Sequence, residues 1–374
     1  MGHVNFKTEI WEELRKRLDR HPTGLPRHAA VERILALLFT EEEAELAAVF
    51  PFSTVLLEDL ASETGREEAE LLPLLDSMAS KGLVLEIERD NRTRYWLSAA
   101  FPGFFEYTFM RIHKDFPYHE MATLLDDYFK KSDFAREISG LKTQRTRTLI
   151  NRDTVSDDLI SEILPYESAR GLIEQVEYGS LQTCYCRHKG VHLGKTCSLG
   201  APVDDICMSF GPTADFLIKR GFARRADQNE LLRVLDHAEE LGLVHIADNF
   251  RENVVFICHC CGCCCELLRM LTEKHIVHGI APTRFVPEVE EDKCTGCGTC
   301  EDRCQINAIE VGTDGIALVN EGWCLGCGVC VHSCTSDALH LQLRHESIMP
   351  PRNLRAMTLK ILKEKKERRS QYLA

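Results

Sequence analysis

At 374 residues with a net charge of -13, the chain is long enough for two or three domains and too acidic for a broad nucleic-acid or membrane surface. Its 18 cysteines occur without a secretory leader, a lipidation signal or a long apolar run, which argues against a disulfide framework and leads us to expect a reducing, cytoplasmic setting. All of them lie between Cys184 and Cys334, so the N-terminal part and the cysteine-rich remainder are expected to be modules with different tasks.

Phe6, Ile10, Leu14 and Leu18 recur at helical spacing, which predicts an amphipathic helix stopped near Pro22. Thr40 and Glu43 fit a capping box for a helix from Glu41 to Phe50. A short helix around Leu56 to Glu63 follows, then a Thr64-Gly65 turn, a longer helix from Arg66 to Ser80, and Gly82 as its stop. Leu83 to Ile87 and Arg94 to Leu97 alternate like two strands around a polar turn at Asp90-Asn91. Helix, turn, helix and hairpin in this order, over about 28–99, resemble a winged helix-turn-helix. In a DNA reader of that family the second helix enters the major groove and phosphate contacts supply much of the affinity. Here that helix carries Glu67, Glu68, Glu70 and Asp76, with basic residues only at its ends, so docking, dimerisation or packing is the expected use.

From Ala99 to about Ser180 the sequence is mixed helical and rich in rings, with Phe101, Phe104, Phe105, Tyr107, Phe109 and Phe116 expected to pack between domains rather than to form a docking patch. No glycine-rich phosphate loop of the dinucleotide or Walker type occurs anywhere. Ten cysteines then form a central group: Cys184, Cys186, Cys197 and Cys207, followed by Cys258, Cys260, Cys261, Cys263, Cys264 and Cys265. Neighbours in an extended segment point to opposite sides, so the members of a Cys-Cys pair are expected to serve different sites. All ten are candidate ligands for one or two further iron–sulfur clusters. One cluster beside a redox-active thiol pair, or zinc with help from His188, His192 and His259, remains open. Arg187, His188, Lys189, His192 and Lys195 make the stretch after Cys186 locally cationic, which would either raise a cluster potential or form a solvated loop. Asp227 and Glu230 cap a helix with Leu231, Leu235 and Ala238 on one face, ended by Gly242 before the strand Leu243 to Ile246.

Cys294, Cys297, Cys300 and Cys304, and again Cys324, Cys327, Cys330 and Cys334, spell C-x2-C-x2-C-x3-C twice. Each run offers four soft thiolates on a short loop that can wrap a cubane of iron and sulfide. Zinc also accepts C-x2-C pairs, but three cysteines at that spacing plus a fourth, duplicated, favours iron–sulfur. Ile309 to Val311 and Ile316 to Val319 read as a hairpin between the halves. The segment 288–343 resembles the bacterial two-cluster ferredoxins. In that family the fourth cysteine of each run ligates the other cluster, which implies one 4Fe-4S cluster on Cys294, Cys297, Cys300 and Cys334 and another on Cys324, Cys327, Cys330 and Cys304. The sequence departs from the family in carrying Gln305 and Thr335 where proline follows each fourth cysteine. Residues 354–369 read as a basic amphipathic helix, fit to clip onto an acidic surface or to remain solvated.

The expected architecture is multidomain α+β. It comprises a helical and winged-helix-like module (1–110), a helical connector (111–180), a cysteine-rich central module (181–287), a dicluster ferredoxin-like domain (288–345) and a basic helical tail (346–374). The expected function is single-electron transfer between redox partner proteins, as a subunit or partner of an oxidoreductase. An iron–sulfur-sensing transcription regulator and a thiol-based reductase are the alternatives. Nucleic-acid binding and membrane insertion are not expected, and a homodimer and a larger complex are both open.

Overall fold

The structure, a computed structural model, describes residues 4–151, 154–155, 159–276 and 279–373. The side chains of Phe6 and Arg369 lie outside the described residues. The fold is mixed α and β, and the chain divides into two compact units. One comprises the chain to Ile138 with His188–Lys195 and Pro212–Arg224; the other comprises Ser139–Arg187, Thr196–Gly211 and the chain from Arg225 onward.

In the first unit the helices Val4–Asp19, Ala29–Leu38 and Glu41–Val49 bury Leu14, Leu18, Ile34, Leu35 and Leu46. The capping box forms as the spacing predicts, and it is extended: the buried Glu43 carboxylate accepts from the Thr40 amide, the Ser77 hydroxyl and the Lys81 ammonium. The strand Val55–Leu56, the helices Leu57–Thr64 and Glu68–Ser80, and the strands Val84–Arg89 and Arg92–Leu97 follow. The last strand is the middle of a three-stranded antiparallel sheet, pairing Val55 with Tyr95 and Val84 with Leu97. Asp90 and Asn91 both take positive φ (54° and 56°), as a two-residue hairpin turn requires. Phe101, Phe104, Phe105 and Phe109 are buried: Phe101 and Phe105 meet Phe129 and Phe134, Phe104 meets Phe39 and Phe105, and Phe109 meets Tyr118, all edge-on or tilted, so these rings fill the core of this one unit. The stretch after Cys186 belongs to a helix, Tyr185–His192, and Lys189 is 1% exposed, so it is not a solvated loop.

The second unit is built on a six-stranded sheet. Its strands run in the order Thr146–Thr148, Val244–Asp248, Phe256–Cys260, Cys207–Ser209, Tyr178–Gln182 and Ala223–Asp227. The pairings of the first five are antiparallel, with Cys258 opposite Ile246 and Gln182 opposite Cys207. Leu181, Met208, Ile257, Leu231 and Leu235 fill one apolar layer, the last two from the helix Gln228–Glu240 that Asp227 caps. The same unit contains the cysteine repeats: strands Phe285–Val289 and Leu339–Leu343 pair antiparallel, as do Ile309–Val311 and Ala317–Val319. Short helices Thr299–Arg303 and Val329–His332 follow the two cysteine loops. The terminal helix Leu354–Leu373 is anchored rather than free: Met357 and Ile361 pack with Leu141 and Phe250, and Glu364 accepts from the amide and hydroxyl of Thr143. Among the described residues, no helix is long and apolar enough to cross a membrane.

Candidate metal centres

The duplicated loops line two cavities. One is walled by Cys294, Cys297 and Cys300 together with Cys334 from the other repeat. The other is walled by Cys324, Cys327 and Cys330 with Cys304. Each loop turns through two glycines at positive φ: Gly296 and Gly298 in the first, Gly326 and Gly328 in the second. Gly298 and Gly328 are also the N-caps of the short helices, so Cys300 and Cys330 sit in the first turns, turned into a shared apolar core with Ile309, Ala317 and Leu339.

These surroundings suit a sulfur-bound cluster. Backbone N–H groups reach the ligand atoms, with the Ala308 amide donating to Cys304 Sγ (3.1 Å) and the Gly326 amide to Cys324 Sγ (3.3 Å). Burial pushes the Cys327 thiol up to about 12 and Cys330 well above the usual thiol range, so bare thiolates are costly there and a cationic iron core offsets that cost. Cys297 is exposed and its thiol is lowered by the Thr299 hydroxyl and amide. Four thiolates per cavity, apolar walls and amides aimed at sulfur fit 4Fe-4S chemistry.

Two residues that the motif did not single out lock the second loop. Arg344 donates to the carbonyls of Glu321 and Cys324 and to those of Thr283 and Phe285; the Thr283 hydroxyl donates to the Gly326 carbonyl (2.8 Å). A lone arginine beyond the last strand carries no local sequence signal. Gln305, which stands where the ferredoxin pattern has proline, accepts from the Gly262 amide through its side chain (2.8 Å), and a Cβ on Gly262 would lie 2.4 Å from the Gln305 carbonyl. The residue after Cys304 therefore meets the backbone between Cys261 and Cys263. Replacing Gln305 with Ala should cost about 2 kcal/mol of stability, the worth of its two side-chain hydrogen bonds, from the Gly262 amide and to the Arg303 carbonyl, with iron content unchanged, measured by anaerobic unfolding and iron assay. A fall in iron would instead mean that Gln305 shapes the cluster loop.

The ten central cysteines fall into two groups. Around the first, thiol contacts run Cys184 to Cys186, Cys186 to Cys265, Cys265 to Cys260, Cys260 to Cys258, Cys258 to Cys207 and Cys207 back to Cys184, a closed ring. Five of the six are buried, and Cys258 is half-buried. Strand alternation puts Cys258 and Cys260 on one face and His259 on the other. Cys265 caps the helix Glu266–Lys274, and Cys184 immediately precedes the helix Tyr185–His192, so helix N-termini with their positive partial charge face the ring. The second group is Cys197, Cys261, Cys263 and Cys264, whose sulfurs all lie within 4.8 Å of one another. Cys260-Cys261 and Cys264-Cys265 are each divided between the two groups.

Arg187, 3% exposed, stands beside both groups. Burial opposes its charge, but Cys184, Cys261, Cys207 and Cys260 more than offset this and hold it cationic. It donates to the His259 carbonyl (2.9 Å), while its Nε finds no hydrogen-bond partner. The imidazoles are engaged elsewhere: His259 with His245 (2.7 Å), His188 with the Phe109 carbonyl, and His192 with His188. Each of these bonds engages one ring nitrogen, and His259 Nε2 is buried without a hydrogen-bond partner.

Comparison with known proteins bears on the C-terminal part. Residues 293–339 match the 4Fe-4S dicluster domain family. A probable ferredoxin of Methanosarcina thermophila is 50% identical over 36 residues, which cover 10% of this chain and 62% of that protein, so the chain spans less than two thirds of that relative. No solved structure matches the chain. The C-terminal segment is thus a ferredoxin-like dicluster domain, furnished for two 4Fe-4S clusters.

Proposed function

We propose that this chain is a multi-cluster electron-transfer protein that passes single electrons between redox partner proteins, as a subunit or partner of an oxidoreductase. The observation that carries this reading is the pair of cavities, each lined by three cysteines of one repeat and the fourth of the other. Cys294, Cys297, Cys300 and Cys334 hold one cluster, and Cys324, Cys327, Cys330 and Cys304 hold the second. When bound, such clusters supply one-electron steps without substrate chemistry. The chain's own contribution is to grip sulfur and iron in loops pinned by Arg344 and Thr283, to exclude water with Ile309, Leu325 and Leu339, and to join the second loop to the central cysteines through Gln305. The ring of Cys184, Cys186, Cys207, Cys258, Cys260 and Cys265 holds a further iron–sulfur cluster, supported by its closed set of buried thiols, the facing helix N-termini and Arg187. A chain so rich in free cysteine suits a reducing, cytoplasmic compartment.

The N-terminal segment serves as a winged-helix-like docking or dimerisation module in this proposal. Its helix order and three-stranded sheet support that reading. The helix that would enter DNA exposes Glu68, Glu70 and Asp76; in the hairpin Arg92 pairs with Glu58 and Arg89 with Asp90. That charge pattern disfavours a transcription regulator.

The test is anaerobic purification of the full chain with iron and sulfide assays and low-temperature EPR. We expect at least about eight irons and eight sulfides, from two cubanes, plus those of the ring. Colourless protein without sulfide overturns the proposal. Salt-sensitive DNA binding that changes on oxidation would establish the regulator instead.

A further inference from the structure

The second central group differs from the ferredoxin quartets in one measurable respect, its compactness. The Cys197 and Cys261 sulfurs are 3.5 Å apart, Cys263 and Cys197 3.8 Å, and Cys263 and Cys264 3.6 Å. Four thiolates at about 2.3 Å from one tetrahedral ion stand about 3.8 Å from each other, by the geometry of a regular tetrahedron. A cubane instead carries each thiolate on a separate iron corner, which holds the sulfurs well beyond mutual contact. Within this molecule the comparison is direct: among the described residues, neither ferredoxin quartet gathers its sulfurs within 4.8 Å, whereas these four do. The separations are also far too long for S–S bonds, which measure about 2.05 Å.

We propose that Cys197, Cys261, Cys263 and Cys264 bind a single tetrahedral metal ion, iron or zinc, through four thiolates and without sulfide. Local structure supports such a site. Three ligands come from the tight turn between the strand Phe256–Cys260 and the helix Glu266–Lys274, held by the Cys265 amide donating to the Cys261 carbonyl. The fourth arrives from 64 residues upstream, so the ion ties two distant segments of the unit together. The amides of Leu199 and Ala201 are directed at Cys197 Sγ, the N–H···S arrangement that settles thiolate charge in tetrathiolate sites. Soft sulfur ligands in tetrahedral array select zinc or iron over hard cations. The site stands at the surface, with Cys263 exposed, and it adjoins Gln305 through Gly262. Iron there would extend the electron path by one step; zinc would make the site a structural clasp.

This inference rests on the spacing of four sulfurs and not on the electron-transfer reading, and one experiment separates them. Full-length wild type, Cys263→Ala and Cys197→Ala are purified anaerobically and assayed for iron, zinc and acid-labile sulfide, with the dicluster EPR signal as the control for folding. Each variant should lose about one metal ion per chain, with sulfide and the EPR signal unchanged. Loss of about four irons with about four sulfides would mean a cubane and overturn the proposal, as would no loss of metal. Wild-type protein with the native ion exchanged for cobalt should show tetrahedral thiolate absorption; its absence also counts against the site. If wild-type protein lacks sulfide altogether, it is the dicluster reading that fails.

Discussion

Replacing Cys334 with Ala should remove the same cluster as replacing Cys297, although the two stand in different repeats. Each lines the first cavity with Cys294 and Cys300, and neither lines the other cavity. Each single variant is therefore expected to lose about four irons and four sulfides, and one of the two EPR signals of the dicluster domain. Combining Cys297→Ala with Cys334→Ala should cost no more iron than either alone, whereas combining Cys334→Ala with Cys304→Ala should cost about eight. If each repeat instead held its own cluster, Cys297 and Cys304 would form the non-additive pair. The effect should extend to stability, because the cavities share the core of Cys300, Cys330, Ile309 and Leu339, and cluster binding there is coupled to folding.

Gly326→Ala should be the most damaging single methyl in the domain. Gly326 has φ +68°, and an added Cβ would lie 2.1 Å from the Phe285 carbonyl oxygen and 2.3 Å from Thr283 Oγ1. The left-handed conformation alone costs an alanine about 1–2 kcal/mol. The backbone overlap adds to it, because Phe285 is held in the pairing with Leu343 and cannot recede freely. A total of at least about 3 kcal/mol is expected, with loss of iron from the cavity lined by Cys324, Cys327, Cys330 and Cys304. Gly315→Ala is the control: φ is +80° there, but nothing lies within 4 Å of the new methyl, so only the conformational cost applies. Iron retention under a chelator challenge compares the two; equal losses would mean that close approach to Phe285 contributes nothing.

Much of the dicluster site was legible in the chain because its ligands are local. Three cysteines at x2 spacing fit one loop, and duplication of that loop with its glycines marks two sites. The crossing of Cys304 and Cys334 came from family resemblance, since spacing alone cannot say which loop a fourth thiol will meet. The N-terminal elements were equally readable: capping by Thr40 and Glu43 and a turn at Asp90-Asn91 are settled by neighbours three or fewer residues apart.

The central cysteines are the opposite case. Alternation along an extended chain suggests that Cys260 and Cys261, or Cys264 and Cys265, face different ways. It cannot say that one of each pair meets Cys184, Cys186 and Cys207 while the other meets Cys197. That division depends on Phe256–Cys260 lying beside Cys207–Ser209 in the sheet, and on two helices starting at the cysteines. Composition also offered His188, His192 and His259 as metal ligands, and folding gives each of them a partner other than a thiol at one ring nitrogen. Short-range spacing specifies a chelating loop because the same few bonds join its ligands in any fold; a site assembled from strands and loops far apart in sequence exists only once register and packing have brought them together.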